Sequence, residues 1–466
     1  MWLVISWRQQ MNKYDFLDII DEKSQMLDDL ADYIWENPEL NYKEFKSAEA
    51  LIRALKSEGF EVTKNLDNIE TAFCGSYGSG RPVIGILGEF DALAGLQQSA
   101  GALAPDGDGT PGHGCGHHLL GVGSLAAAIA VKKYLESHPG SGTVIYYGCP
   151  AEEGGSAKAF MARDGVFDGL DAAFCWHPSN GLSAQNSRNL ANCKVLFKFD
   201  GVASHAALTP HLGRSALDAV ELMNVGANYL REHVPTDVRF HYAVTDPGGL
   251  APGVVQAHAE VLYLIRAPKN ETVAEVYGRI CDIAKGAALM TGTTESHVFL
   301  KAVSPLMPNQ VLVRTLHESM MELEAPQPSE EDLAYYRELS RTALADMPKV
   351  DPENPIHWQP KPLEELKLRF GSTDVSDVSR VCPTAQMTGA TYAMGTPGHT
   401  WLRVTQGKTD WAHSSTRHIG KILALATVKL IENPALLAEA QTEYKNNIGE
   451  KGFVSPIPAD VKPSAD

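Results

Sequence analysis

The stretch Pro111-Gly112-His113-Gly114-Cys115-Gly116-His117-His118 places three imidazoles and one thiol within eight positions. The glycines between them lack a Cβ, so the backbone can turn tightly and approach a ligand closely. Cys115 and His117 would face apart on a helix, whereas a loop can direct thiolate and imidazole to one zinc-like metal. Residues 119–134 are rich in alanine and leucine and predict a buried helix. The cluster is therefore expected in a loop at a helix N-terminus, although a small-residue loop with chance histidines is the alternative.

Polar, metal-competent residues follow each of three buried strands that the sequence predicts. The strands span 83–87, 143–149 and 172–176, and they precede Asp91, the pair Glu152 and Glu153, and His177, respectively. In open α/β sheets, ligands bind outside the carboxyl ends of the strands. These residues are therefore expected to converge with Cys115 and His117.

Two adjacent carboxylates, Glu152 and Glu153, would repel each other if both were buried. A dication resolves this repulsion, because one carboxylate can ligate it while the other moves protons. A solvated acidic turn is the alternative. Asp91 fits three roles: a ligand, a partner that orients a ligating histidine, or a helix cap. His399 and His413 are both candidates for a last ligand, and spacing does not separate them.

The pattern changes after residue 187, where apolar and polar residues begin to alternate. A strand, a helix, two strands, a helix and a last strand near 297–302 predict an inserted α+β domain. Nearer the C-terminus, 400–404 predicts a strand, 411–414 a loop and 419–431 a final buried helix. The predicted units are a catalytic domain (12–186 and 303–454), an inserted domain (187–302), a charged surface insertion (322–366) and a loose tail (455–466).

The composition is that of a soluble globular protein, with 466 residues, 44% hydrophobic and 21% charged. The net charge of −17 argues against nucleic acid or an anionic membrane as the main partner. Seven scattered cysteines predict reduced thiols in a cytosolic setting. The apolar segment 1–10 is too short for a signal peptide or a membrane span, and it is interpreted as an extension from an upstream start.

Five motifs together resemble the zinc- or manganese-dependent aminoacylase/carboxypeptidase-like metallopeptidases, in their N-acyl amino acid amidohydrolase branch. The similarity extends over about 28–436. The motifs are IWENPEL at 34–40, GEFDAL at 88–93, GCGH at 114–117, PAEEGG at 150–155 and SHAA at 204–207. This resemblance implies an α/β catalytic domain with a mixed central sheet flanked by helices, and an inserted α+β lid through which such enzymes dimerise.

The resemblance also implies a role for individual residues. Two divalent ions, Zn or Mn, would be held by Cys115, His117, Glu153, His177 and His413, with His399 as a pocket neighbour. Glu152 would be the general base and later the proton donor to the leaving nitrogen. His205 would reach into the partner's site to stabilise an oxyanion. Arg266 would clamp a substrate carboxylate.

The implied activity is hydrolysis of the amide of an N-acyl amino acid, with an aroyl-glutamate such as p-aminobenzoyl-glutamate as a candidate substrate. The alternatives are a broader carboxypeptidase or dipeptidase, and a non-catalytic member of a hetero-oligomer with a paralogous A subunit. Two departures from the family pattern bear on this choice. His118 stands where the family has aspartate, and Gly253 stands where a substrate-binding asparagine is usual.

Overall fold

The computed structural model describes residues 14–348 and 350–464, so the predicted extension at 1–10 lies outside the described residues. The α-helices are α1 (Asp18–Glu22), α2 (Ser24–Glu36), α3 (Phe45–Ser57), α4 (His117–Ser137), α5 (Ala157–Arg163), α6 (Ala216–Leu230), α7 (Asn270–Thr291), α8 (Gln310–Glu322), α9 (Glu330–Arg341), α10 (Val375–Val378), α11 (Trp401–Gln406), α12 (Asp410–Glu432) and α13 (Pro434–Ile448). Short 3-10 turns lie at Asp15–Leu17, Leu66–Asn68, Pro210–Leu212 and Arg231–His233.

The central sheet of the predicted catalytic domain has six strands and is mixed, in the order β1-β2-β4-β3-β5-β12. Its strands are β1 (Glu61–Lys64), β2 (Phe73–Ser79), β3 (Val83–Glu89), β4 (Gly142–Cys149), β5 (Ala172–Ala184) and β12 (Thr384–Ala390). β3 pairs in parallel with both β4 and β5, and β5 pairs in parallel with β12. The carboxyl ends of these strands therefore meet at one edge. The predicted α/β class with a mixed central sheet is confirmed.

The long helix α4 carries small and apolar side chains on all its faces, and most of its residues are buried. It packs between the sheet and α12, and its first residue is His117. Gly116, just before it, has a φ of 87°, and a Cβ there would collide with the Tyr392 hydroxyl. The glycine thus lets the ligand-rich loop turn sharply into the helix at the edge of the sheet.

A second, antiparallel sheet has the order β10-β7-β9-β8 and lies within the range expected for the inserted domain. Its strands are β7 (Ala191–Asp200), β8 (Arg239–Asp246), β9 (His258–Ala267) and β10 (Thr294–Val303). Alternate residues of β7 and β9 are buried against α6 and α7 in a second hydrophobic cluster. The opposite face of these two strands carries charged side chains together with Leu196, Leu262 and Leu264. A parallel pair, β6 (Ser187–Arg188) and β11 (Lys367–Leu368), lies beside the connection to this sheet.

The C-terminal region differs from the sequence prediction. The predicted strand at 400–404 is helical, and the helix predicted at 419–431 begins at Asp410, where Thr409 Oγ1 accepts a hydrogen bond from the backbone nitrogen of Ala412. This cap starts the helix early enough to include the segment predicted as a loop. A further helix, α13, follows it.

The predicted surface insertion at 322–366 contributes to the core through α9. Tyr336 and Leu339 are fully buried, and the Tyr336 hydroxyl lies 2.8 Å from Thr409 Oγ1. Contrary to the prediction of a loose tail at 455–466, two described residues of this segment contact the fold. Ile457 is buried in the second hydrophobic cluster, and Arg163 donates to the carbonyl oxygen of Val461. No described helix is long and apolar enough to cross a membrane.

Candidate metal centre

The first potential ligand group lies where the loop before α4 meets β5. The ligand atoms of Cys115, His117 and His177 all lie within 4.8 Å of one another. Cys115 Sγ is 3.2 Å from His177 Nε2, and the opposite ring nitrogen of His177 donates to the Pro178 carbonyl oxygen at 2.8 Å. This hydrogen bond occupies Nδ1, so Nε2, which contacts Cys115 Sγ, is the ring nitrogen that can ligate a metal. One thiol and two imidazoles form a donor set that zinc-like metals favour.

The second group shares Cys115 with the first. Cys115, Glu153 and His399 also bring their ligand atoms within 4.8 Å of one another, and Glu153 Oε1 lies 3.4 Å from His399 Nε2. Burial raises the pKa of the Cys115 thiol, but the nearby His177 and His117 outweigh it and hold that pKa well below its ordinary value. Cys115 is therefore poised as a thiolate, the form that ligates metals.

Asp91 orients its neighbours. Its Oδ1 accepts a hydrogen bond from His117 Nδ1 at 2.7 Å, and its Oδ2 accepts one from the backbone nitrogen of Glu153 at 2.9 Å. Of the three roles open for Asp91, this geometry is that of a partner that fixes a histidine tautomer. His117 Nε2 then points toward Glu89 Oε2 at 3.3 Å and Glu153 Oε1 at 3.9 Å.

Two buried ligand atoms of this cluster lack hydrogen bonds, which is consistent with a site for a metal ion. His117 Nε2 and Glu153 Oε1 are buried, and among the described residues neither forms a hydrogen bond. Their charged neighbours are Glu89, 3.3 Å from His117 Nε2, and His399, 3.4 Å from Glu153 Oε1. A buried polar atom without a partner costs free energy, about 1–3 kcal/mol. Both atoms lie at the centre of the cluster, so a cation there would satisfy them together.

Glu152 lies beside this cluster in a third group, with Glu89 and His117. Burial raises the pKa of Glu152 well above its ordinary value, and the carboxylates of Glu89 and Glu153 raise it further. A cation at the cluster would act in the opposite direction. A carboxyl whose pKa is raised by its surroundings is suited to accept and return a proton near neutral pH.

The turn that carries the glutamates, and the last histidine, have unusual backbone geometry. Ala151, Ser156 and His399 have φ values of 55°, 55° and 54°, in the left-handed region that non-glycine residues avoid. The His399 backbone nitrogen also donates to the Gly114 carbonyl oxygen at 3.1 Å, which joins it to the cysteine loop.

The structure does not bring His413 to the cluster, contrary to the role that the family resemblance implied. His413 lies on the first turn of α12, and its Nε2 lies 3.0 Å from Asp32 Oδ1 on α2. Among the described residues it belongs to none of the three ligand groups, whereas His399 belongs to one of them. The helix start at Asp410 explains the difference, because it turns His413 toward α2. The Pro-Gly turn before His399 was the available sequence signal.

His118, which replaces the aspartate of the family pattern, has a structural role in the core. His118 is fully buried, its Nε2 lies 3.0 Å from the Gly407 carbonyl oxygen, and its ring contacts His113 at 4.9 Å between centroids. Burial holds the pKa of His118 well below its ordinary value, so the imidazole is neutral. The side chain joins two segments of the core and lies outside the three ligand groups.

His205 and Arg266 occupy different parts of the second sheet's domain. His205 is exposed, and its backbone forms an isolated antiparallel β-bridge with Val254. Among the described residues it lies in none of the ligand groups. Gly253 is its neighbour, because the backbone nitrogen of Ala206 donates to the Gly253 carbonyl oxygen. Arg266 lines a cavity with Glu152, Glu153 and His399, and its Nη1 donates to Ser372 Oγ at 3.0 Å.

A buried lysine that was not predicted from the sequence lies behind the cluster. Lys158 is fully buried, and its Nζ lies 2.8 Å from Glu89 Oε1 and 2.7 Å from Asp374 Oδ1. The ion pairs neutralise two carboxylates beside Glu152. A lysine in an apolar helix directly after the glutamate pair was the signal that could have revealed it.

This fold and donor set define the chain as a metal-dependent amidohydrolase or peptidase. It belongs to peptidase family M20/M25/M40, whose model matches residues 85–351. It is 45% identical to the B subunit of p-aminobenzoyl-glutamate hydrolase from Escherichia coli, over 97% of this chain and 98% of the relative. The resemblance to this family is therefore confirmed.

The chain is also similar to more distant proteins. The chain is 28% identical to the Xaa-Arg dipeptidase of Mus musculus, over 94% of this chain and 93% of that protein. The crystal structure of the YXEP protein of Bacillus subtilis, a dinuclear metal-binding peptidase of the M20 family, superposes with a TM-score of 0.53. It is 15% identical and covers 88% of this chain and 99% of its own, which supports the shared fold.

Proposed function

We propose that this chain hydrolyses the amide bond of N-acyl amino acids with two divalent ions, Zn or Mn. One ion would be held by Cys115, His117 and His177, and the other by Cys115, Glu153 and His399. The observation that carries the proposal is that Cys115 is common to two ligand groups with unsatisfied buried atoms. The dinuclear nature of the B. subtilis relative supports the number of ions.

When bound, the ions supply Lewis-acid activation of water and of the scissile carbonyl. Glu152 lies beside the ligand groups without being needed in either of the two metal sites. It takes a proton from the attacking water and returns it to the leaving nitrogen. Arg266, in the wall of the same cavity, binds the carboxylate of the amino acid half. The substrate class follows the activity for which the Escherichia coli relative is named, with p-aminobenzoyl-glutamate as the first compound to test.

The assembly we propose is a homodimer through the inserted domain, with a hetero-oligomer as the alternative because the E. coli relative is named as one component of a larger hydrolase. Apolar side chains on α6 are exposed, namely Leu222 at 37%, Val225 at 51% and Tyr229 at 66%. The strand β8 is at the edge of its sheet and can pair with a second copy. His205, exposed on the same domain, would then complete the partner's site. The seven free thiols support a cytosolic setting.

The experiment compares wild type, Glu152→Gln and Cys115→Ala for metal content and for release of glutamate from p-aminobenzoyl-glutamate. Glu152→Gln is expected to keep its metal and lose turnover by about 10²–10⁴-fold, because the amide cannot move the proton. Cys115→Ala is expected to lose metal. Full turnover in Glu152→Gln would refute the assignment of the base. A wild-type protein that stays metal-free after supplementation would favour the non-catalytic role in a hetero-oligomer.

A further inference from the structure

The cavity beside the proposed metal ligands is lined by acidic residues on one side and by basic residues on the other. It has a volume of about 410 Å³, and one side is formed by Glu152, Glu153 and His399. The other side is formed by the second sheet, which contributes Leu264 and three cations. They are Lys194 on β7, Arg266 on β9 and Lys301 on β10.

Two of these cations are directly opposite each other in the sheet. Lys301 of β10 is the register partner of Lys194 of β7. Like charges at opposed positions on neighbouring strands destabilise a sheet. The register shifts between Phe299 and Lys301, and a bulge of this kind re-aims side chains. The sheet therefore departs from regular pairing where it presents the two lysines to the cavity.

The lysine pair has little compensation from the protein. Lys301 is only 8% exposed, and its Nζ donates to the neutral Ser156 hydroxyl. Lys194 is half-buried, and its ammonium group has no hydrogen bond or ion pair with any described residue. Burial lowers the pKa of both ammonium groups, that of Lys301 to about 8, and the charge of Glu152 only partly opposes this for Lys301.

Two of the three acids that line the cavity have partners of their own, and the third, Glu152, is the proposed base. Asp374 is paired with Lys158 at 2.7 Å, and Glu153 belongs to a metal-ligand group. Arg266 is the register partner of Asn192, which lies two residues from Lys194 on the same face of β7. Arg266 and Lys194 are therefore diagonal neighbours on adjacent strands, and such positions are about 7–8 Å apart. The wall thus offers two anion-binding positions next to each other.

We infer that Lys194 and Lys301 bind a second carboxylate of the substrate, so that the enzyme selects N-acyl derivatives of acidic amino acids. This inference rests on the proposed function. Arg266 holds one carboxylate of the amino acid half, and the lysine pair holds the other. The same wall repels a cationic amino acid half, so N-acyl-arginine is a poor substrate.

The test compares p-aminobenzoyl-L-glutamate with p-aminobenzoyl-L-glutamine, which differ in one charge and have nearly the same shape. Wild type is expected to prefer the glutamate by at least about 10-fold in kcat/KM, as expected for one desolvated charge pair. Lys194→Met and Lys301→Met should each lose most of this preference through a higher KM for the glutamate. Their kcat/KM should fall by a larger factor for the glutamate compound than for the glutamine compound.

Lys198→Met is the matched control, because Lys198 lies on the same face of β7 but pairs with Glu260 at 2.8 Å. It should leave the preference unchanged. Equal use of both compounds by wild type, or a preserved preference in both lysine variants, would overturn the inference. If Lys301→Met lowers kcat for both compounds equally, the lysine positions Glu152 instead. If Lys301→Met does not fold, the half-buried Lys194→Met decides the question. Hydrolysis of neither compound by the metal-loaded protein would instead refute the proposed function.

Discussion

The carboxylate of Glu44 accepts a hydrogen bond from the backbone nitrogen of Ala151 at 3.0 Å, across 107 residues of sequence. Ala151 directly precedes Glu152 and has a left-handed backbone. The same side chain also accepts hydrogen bonds from the Tyr42 backbone nitrogen and the Thr71 hydroxyl. Glu44 therefore joins the segment before α3 to the turn that carries the proposed base.

This relationship predicts the effect of shortening Glu44. Glu44→Ala leaves the buried Ala151 nitrogen without a partner and should lower the free energy of unfolding by about 1–3 kcal/mol. Turnover should fall as well, because the turn before Glu152 loses its support. Glu44→Gln keeps an oxygen acceptor and should be milder on both counts. Urea unfolding and kcat measure the two effects, and wild-type values in Glu44→Ala would contradict the prediction.

A second prediction concerns the last metal ligand. His399→Ala should lower the metal content of the loaded protein from about two ions per chain to about one, because one of the two ligand groups loses a donor. His413→Ala is the matched control and should keep its metal, since His413 contacts Asp32. Elemental analysis after dialysis measures the content. Loss of metal only in the His413 variant would restore the assignment that the family resemblance suggested.

A third prediction tests whether His205 acts in the partner's site. Glu152→Gln and His205→Ala should each be inactive as separate proteins. Subunits mixed after unfolding and refolding together should recover about a quarter of wild-type activity, because one site in each mixed dimer keeps both groups. Recovery requires subunit exchange, which differently tagged chains can verify. Verified mixed dimers without recovered activity would show that His205 does not act across the interface.

The docked C-terminal segment leads to a prediction about stability. Ile457 is 3% exposed in the second hydrophobic cluster, whereas Val454 is 71% exposed. Ile457→Ala should lower the free energy of unfolding by about 2–4 kcal/mol, because it removes buried methyl groups and leaves a cavity. Val454→Ala should change it by less than about 0.5 kcal/mol. Equal, small effects in urea unfolding would indicate that the segment does not stabilise the fold.

The buried Asp377 predicts a pH dependence of stability. It accepts hydrogen bonds from the backbone and side chain of Ser304, yet burial raises its pKa to about 7. Since an unfolded aspartate has a pKa of about 3.9, the folded state holds this proton more tightly. The contribution of Asp377 is thus fully present below about pH 4 and is lost as the pH rises through 7.

Asp377→Asn should therefore flatten the decline in stability between about pH 4 and pH 8. Unfolding midpoints across this range measure the effect. The exposed Asp282→Asn is the control and should follow the wild-type curve. An unchanged slope in Asp377→Asn would mean that the carboxyl is ionised at no cost in the folded state.

The sequence predicted the sheet edge well because its signals are local. β3 and β4 are short apolar runs followed by polar residues, whereas β5 starts with such a run and continues past His177 to Ala184. Parallel pairing brings these residues to one edge of the sheet. Cys115, His117, Glu153 and His177 lie close together as this argument requires. A motif at a strand end thus locates a side chain without knowledge of distant contacts.

The choice between His399 and His413 needed information that spacing does not contain. One residue has a positive φ, and the other lies on a helix that a threonine cap extends toward the N-terminus. Charge-rich composition hid the apolar face of α9, where Tyr336 and Leu339 are buried. Burial of Lys158 depends on two acids far apart in sequence, Glu89 and Asp374. Such features are decided by tertiary packing.

The left-handed backbone at Ala151, Ser156 and His399 has a consequence for anyone who engineers this protein. Each residue carries a conformational cost of about 1–2 kcal/mol that glycine would relieve. A screen that ranks variants by melting temperature alone would therefore tend to accept glycine at these positions. At 399 it would delete a proposed ligand, and at 151 and 156 it would loosen the turn around the glutamates. Heat tolerance and catalysis should be selected together in this molecule.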